Sequence, residues 1–410
     1  MRGRTPALEQ RFFDIFHDYY DLERTSARRY TDTEYTLARM HPVAAAAGSP
    51  EHFLRIVHVA GTKGKGSTCH LISALLRSAG HRCGMFTSPH LATVRERFQI
   101  DNRPVSYARL LEVSREFEHT LRREGLQPSL FEIMTVLSLR LFADLGCEFA
   151  VMETGIGGRL DATNYVTNPE CCAITAVSLD HTQLLGETVP AIASEKAGII
   201  KRGVPVVIGS QPFSEADAVI AARAEALCAP VFRPLPRACA APFIRARVAP
   251  FLRDNMGTAL AVCEALGIRP QPDRFELPEF RARCEVVRRA PLVILDAAHN
   301  ADSARRLVEA VRELFPDERF TIVLGVVKGK DVAGIVRELS ALRPQLVLTN
   351  PDTPKGSELE RLVQEAEKAG LCYRIVPNLR RRDQLPQGEN LLFTGSFFTA
   401  VIGERLFTPA

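Results

Sequence analysis

The stretch LRIVHVAGTKGKGST, residues 54–68, decides the fold. Its first half, residues 54–61, is a run of branched apolar side chains ending in glycine, which reads as a buried strand. An amphipathic pattern from about Ser67 to Ala79 predicts a helix. The segment Gly61-Thr62-Lys63-Gly64-Lys65-Gly66-Ser67-Thr68 therefore joins a strand to a helix, the context of a phosphate-binding loop. Glycines let backbone N–H groups turn toward phosphate oxygens, and the helix N-terminus adds a favourable dipole. Thr62, Lys63, Gly64, Lys65, Gly66, Ser67 and Thr68 are the candidate nucleotide contacts. Lys65 would neutralise the β- and γ-phosphates, and Ser67 or Thr68 would bond phosphate or a metal-bound water. The alternative is a flexible Gly/Lys turn, which the flanking strand and helix disfavour. The loop departs from G-x-x-x-x-G-K-[ST], because Gly66 separates Lys65 from Ser67.

The same alternation continues outward. CGMFTS (83–88), EFAVMETG (148–155), CCAITAVSLD (171–180) and PVVIGS (205–210) read as strands, and residues 107–123 and 130–145 as helices. Strands alternating with helices predict an α/β fold with a parallel-rich sheet, its functional residues at the carboxyl ends of the strands. The proline- and arginine-rich segment 228–254 reads as an irregular excursion, followed by a helix over 254–267 and a linker over 268–280. PLVILDAA (291–298), FTIVLGV (320–326), QLVLTN (345–350), CYRIVP (372–377) and NLLFTGS (390–396) predict five further strands in a smaller Rossmann-like domain. The expected domains are 1–275 and 283–410, with the cleft between them as the default ligand site.

Composition sets the outer bounds. A chain of 410 residues fits two or three domains, and 46% hydrophobic with 24% charged residues excludes a disordered or fibrous protein. The balance of 52 basic and 48 acidic residues, +4, does not suggest a nucleic-acid partner but permits anionic small molecules. No apolar run reaches the roughly 18 residues of a membrane span, and the first residues carry no signal core. The ten cysteines show no C-x-x-C spacing, so buried free thiols in a cytoplasmic protein are expected.

AGTKGKGST is similar to the loop of Mur-ligase-like, ATP-dependent amide ligases. Within them the chain resembles the folylpolyglutamate synthase and bifunctional dihydrofolate synthase family. The resemblance is carried by FTSPHL (86–91), ETGIGGRLDATN (153–164), SLDHTQLLGETVPAIASEKAGIIK (178–201), LDAAHN (295–300) and FTGSFF (393–398), in family order. Lys63 resembles the eukaryotic loop, where many bacterial members have Asn. Only 60 residues precede Gly61, too few for the uridine-binding domain of muramyl-peptide ligases plus a first strand. TSARRYTDTEYTLARM (25–40) matches loosely and yields no assignment.

The resemblance implies roles, each with a plainer alternative. Ser88 is implied as a metal ligand, though a serine before proline commonly caps a turn. Glu153, at a strand's carboxyl end, is implied as a magnesium ligand and catalytic residue, with a turn cap as alternative. His181 is implied at a second Mg²⁺, although imidazole is not that ion's favoured ligand. Lys196 resembles a lysine carbamylated by CO₂, which would turn a metal-repelling cation into an anion; the alternative is a helical lysine paired with Glu195 or solvent. Asn255 is implied to contact ATP phosphate, or else stands at a helix N-terminus. Arg283 follows Ala282 where the family has glycine, and would reach the ATP phosphates; Asp296 and His299 would hold its ribose or base. Ser129, Leu130, Phe131 and Glu132, with Leu160, Asp161 and Ala162, are implied around the pterin, Phe131 as a stacking ring or as helix core.

The implied reaction is ATP-dependent ligation of L-glutamate to a folate or dihydropteroate carboxylate through an acyl phosphate, with ATP and Mg²⁺, in a monomer. Two rivals remain at this level: another Mur-type carboxylate–amine ligase, or a nucleotide-binding regulatory homologue without ligase activity.

Overall fold

The structure is a computed structural model that describes residues 4–21, 36–244, 248–351, 353 and 356–408. Residues 25–35 of the loosely matching N-terminal stretch lie outside the described residues. The chain divides into two compact units, residues 1–246 with 252–278 and residues 247–251 with 279–410.

The first unit is built on eight strands: β1 (Arg55–Ala60), β2 (Cys83–Phe86), β3 (Phe98–Ile100), β4 (Arg103–Pro104), β5 (Phe149–Glu153), β6 (Cys171–Ile174), β7 (Val206–Ile208) and β8 (Val231–Phe232). Their order is β4-β3-β2-β5-β1-β6-β7-β8. All neighbours pair in parallel except the β2–β3 and β3–β4 edge pairs. Every residue of β2, β5 and β6 is buried, as expected of strands covered on both faces. One face packs Phe12, Leu110, Phe117, Ile133 and Phe142 from helices Arg4–Ile15, Tyr107–Arg123 and Leu130–Asp144, with Phe16 just past the first of them. The other packs Ile192, Ala193, Ala216 and Ile220 from helices Val189–Ala197 and Ser214–Ala226. The connection leaving β1 runs to β2 on one side, and the one leaving its neighbour β5 runs to β6 on the other, which opens a crevice at the carboxyl ends of these two strands.

The second unit holds β9 (Glu285–Arg289), β10 (Leu292–Leu295), β11 (Thr321–Leu324), β12 (Gln345–Leu348), β13 (Tyr373–Ile375) and β14 (Leu391–Thr394). The order is β13-β12-β11-β14-β10-β9, parallel except for β9. Five of these strands are the predicted ones. The sixth, β9, was missed because its residues are half-buried or exposed and carry two arginines, which hides the apolar signature of a strand.

Two local readings change. The helix expected from residue 254 runs Pro250–Ala265. Pro250 belongs to it because a helix tolerates proline in its first turn. Asn255 is therefore inside the helix rather than a cap. The excursion 228–254 is also partly ordered, containing β8 and the short helix Arg237–Ala240. No helix among the described residues is long and apolar enough to cross a membrane.

Candidate active site

The phosphate loop leaves the buried end of β1 and is laced to the chain that follows β6. The N–H groups of Thr62 and Lys63 donate to the Ala176 carbonyl at 2.9 and 3.0 Å. The Thr62 hydroxyl donates to the Ser178 carbonyl and accepts the Ser178 N–H, each at 3.1 Å. Lys63 Nζ lies 3.2 Å from Asp180 Oδ2, and both side chains are mostly buried. Lys63 was expected to touch nucleotide; in the structure its ammonium is engaged by Asp180. Gly64 has φ +88°, a left-handed conformation suited to glycine, and a Cβ there would sit 2.6 Å from Asn255 Oδ1. That close approach ties buried Asn255 to the loop. The helix Lys65–Ser78 then begins, with Thr68 N–H donating to the Gly64 carbonyl at 2.8 Å.

Glu153 ends β5 and is 4% exposed. Its Oε2 accepts the Ser88 N–H at 3.1 Å, and its Oε1 lies 3.9 Å from Lys65 Nζ. Gly66 completes the cluster, since a Cβ at that position would be 3.3 Å from Glu153 Oε2. Ser88, Glu153, Lys65 and Gly66 thus converge. His181, also left-handed at φ 51°, reaches the loop through Asp180: its N–H donates to Asp180 Oδ1 at 3.0 Å.

Lys196 is buried, and its Nζ donates to the Gly61 carbonyl at 2.9 Å. Burial, reinforced by the Lys65 cation, lowers its pKa to about 7. The alternative of pairing with Glu195 fails, because Glu195 binds Arg159 Nε at 2.9 Å. Helix Val189–Ala197 can approach this closely because Gly158 faces it: a Cβ there would meet the Glu195 carbonyl at 2.8 Å.

The residues implied around the pterin divide by the work they do. Ser129 and Glu132 form a capping box at the start of helix Leu130–Asp144, and Glu132 also pairs with Arg39 Nε at 3.1 Å. Leu130 and Ala162 are core residues, and Leu160 is half-buried. Phe131 packs on Phe86 with ring centroids 5.9 Å apart and faces Gly155, where a Cβ would lie 2.6 Å from its ring. Asp161 is buried, and its carboxylate accepts the N–H groups of Ile156 and Thr163 at 2.9 and 3.0 Å.

In the second unit, Ala282 keeps a glycine-like φ of 50° despite its Cβ, so the backbone before Arg283 retains the shape that glycine would give. Arg283 Nη1 donates to the Ala282 carbonyl at 3.1 Å. Asp296 accepts backbone N–H groups from Cys284 and Ala298, both at 2.8 Å, and so organises its own loop. His299 Nδ1 lies 2.9 Å from the Ala297 carbonyl, which fixes Nδ1 as the protonated nitrogen.

Sequence reasoning missed the role of Asp180 as the partner of Lys63. A cation in the loop with one carboxylate in the strand-end segment SLDH was the available signal. Among the described residues, no group of three or more His, Cys, Asp or Glu could hold a metal. The arrangement nonetheless fits magnesium, which is commonly held by one or two carboxylates together with substrate phosphates and waters. Buried Glu153 beside the phosphate loop supplies such a carboxylate.

Residues 59–216 match the Mur ligase middle domain, and residues 282–397 match the glutamate ligase domain of Mur ligases. The chain is 33% identical to the dihydrofolate synthase/folylpolyglutamate synthase of Bacillus subtilis, over 90% of this chain and 94% of the relative. The structure of Mycobacterium tuberculosis folylpolyglutamate synthase complexed with ADP superposes with a TM-score of 0.84 at 28% identity, covering 99% of both chains. A bifunctional folylpolyglutamate synthase/dihydrofolate synthase with Mn, AMPPNP and L-glutamate bound gives 0.77 at 29%, covering 90% of this chain and 94% of that one. Two Mur ligase domains in order, with near full-length similarity to these enzymes, establish that the chain belongs to the folylpolyglutamate synthase/dihydrofolate synthase family of Mur ligases.

Proposed function

We infer that the protein is an ATP-dependent ligase that joins L-glutamate to the carboxylate of a folate. The observation that carries this reading is the convergence of Lys65, Gly66 and Ser88 on the buried Glu153 carboxylate. Within that cluster Lys65 offers a positive charge to the phosphates, where charge stabilisation is the main catalytic need of phosphoryl transfer. The N-terminus of helix Lys65–Ser78 opens toward the same place, with the N–H groups of its first turn before Thr68. Magnesium held by Glu153 and Ser88, with a second ion at His181, would neutralise phosphate charge. Asn255, fixed against Gly64, would orient the phosphates, and Arg283, Asp296 and His299 are assigned to ATP.

Lys196 is assigned as a carbamylated residue. Its amine is near neutrality at physiological pH, so the free base would attack CO₂, lose one proton and become a carbamate. The substrate carboxylate would be activated as an acyl phosphate and the glutamate amine would displace phosphate. Phe131 and the Gly155–Ala162 turn are assigned to the pterin side. Dihydropteroate is proposed as a second acceptor, because the Bacillus subtilis relative is named for both activities. The test is ADP release with glutamate and with tetrahydrofolate or dihydropteroate offered singly. Release requiring both glutamate and a pterin acceptor is expected; release indifferent to the pterin would refute the folate assignment.

A further inference from the structure

We propose that His58 and Thr163 are positioning residues for the acceptor substrate, acting together through Asp161 to hold the glycine-rich turn after Glu153. The proposal rests on the folate-ligase reading above. His58 lies in the middle of β1 and is wholly buried among Ile56, Val57 and Val59. Its Nε2 is 2.8 Å from Thr163 Oγ1. Thr163 Oγ1 is in turn 2.5 Å from Asp161 Oδ1, which also accepts the Thr163 N–H at 3.0 Å. Asp161 Oδ2 accepts the Ile156 N–H at 2.9 Å and so closes the turn.

Counting protons sets the direction of this chain. The threonine hydroxyl has one proton, and the adjoining carboxylate takes it. The hydroxyl oxygen is then an acceptor, so imidazole Nε2 must donate. That leaves Nδ1 as a bare acceptor, and it is buried with no hydrogen-bond partner. Burial and then the Lys201 charge hold the imidazole neutral, with a pKa of about 3.

An orphaned nitrogen in a strand of Ile and Val is a standing cost that a further aliphatic residue would avoid. What the histidine provides is a link between two loops. The strand that carries it ends at Ala60, next to Gly61, where the phosphate loop begins. The turn that it anchors through Thr163 and Asp161 spans Gly155, Gly157 and Gly158, a flexible sequence. Phe131 packs against Gly155 within that turn. The relay thus registers the acceptor side of the site against the nucleotide side.

The test compares wild type with Thr163→Val, Thr163→Ser and His58→Gln. Thr163→Val removes the hydroxyl and with it two buried hydrogen bonds, from His58 and to Asp161, which predicts an acceptor KM raised at least about 10-fold, with the KM for ATP changed less than about 2-fold. Thr163→Ser restores the hydroxyl and should bring the acceptor KM back near wild type. His58→Gln, which retains a donor, should fall between. Hydrogen exchange at the Ile156 amide is read on the same proteins without substrate. Protection lost in Thr163→Val and kept in Thr163→Ser is expected. Equal rises in both KM values, a serine variant as impaired as the valine variant, or unchanged Ile156 protection would overturn the proposal. Wild-type protein that fails to ligate glutamate to any pterin would instead overturn the ligase reading, while the exchange measurement still decides the relay.

Discussion

Replacing Gly66 with alanine should separate stability from activity. Gly66 is the second residue of helix Lys65–Ser78 and has an ordinary helical backbone. Alanine is favoured over glycine in helices by up to about 1 kcal/mol. A gain of that size in a unit this large predicts a Tm raised by at most about 4 °C. The new Cβ would lie 3.3 Å from Glu153 Oε2, closer than ordinary contact. Glu153 is 4% exposed and holds the Ser88 N–H at 3.1 Å, so it can retreat only by lengthening that bond. Misplacement costs roughly two decades of rate per ångström, so a shift of about 0.3 to 0.4 Å predicts a kcat about 5-fold lower. Gly64→Ala is the contrasting variant. Its φ of +88° adds a strain of about 1–2 kcal/mol for any side chain, and the Cβ would strike Asn255. That variant should lose stability and activity together. The assay is glutamate-dependent ADP release beside thermal unfolding of both variants. Wild-type kcat in Gly66→Ala would show that the Glu153 position does not matter to the reaction. A Tm lowered by several degrees would show that the space beside Gly66 cannot take a methyl group.

Other substitutions probe the charges around this cluster. Lys65→Ala should reduce turnover by more than about 100-fold while the fold persists, as read by steady-state rates and circular dichroism. Lys196 has a folded pKa near 7 against an ordinary value of 10.5, so the unfolded chain binds its proton more tightly between those values. With CO₂ excluded, stability should therefore rise with pH across that window and be lost as pH falls toward 7; Lys196→Met should flatten this slope in denaturant titrations. With bicarbonate present, activity should rise on the alkaline side of pH 7 in wild type and show no bicarbonate response in Lys196→Met. Lys63→Asn removes a cation that lowers the Lys196 pKa and releases Asp180, which raises it, so the acid limb of the activity profile should move to higher pH.

Much of the first unit was legible because parallel strands buried on both faces leave continuous apolar runs, as in residues 54–61 and 171–174. β9 and the β3–β4 hairpin were not, since short edge strands with arginines carry no such run. Candidate residues at strand ends, such as Glu153, were readable from position and charge. Their partners were not, because Glu153 and Ser88 are 65 residues apart in the chain, and Lys63 and Asp180 are 117 apart.

By itself the sequence determined an α/β chain with a phosphate loop at the end of a buried strand and a family resemblance spread over several blocks. Local pattern suffices for that, because strand, glycine turn and helix are set by neighbouring residues. The tertiary structure decided what each charged side chain does. Only packing could show Lys196 with its proton affinity lowered by burial beside the Gly61 carbonyl, Lys63 engaged by Asp180, and Asp161 holding its own turn. Those states depend on desolvation and on contacts between distant segments, and neither quantity is written in residue type or spacing.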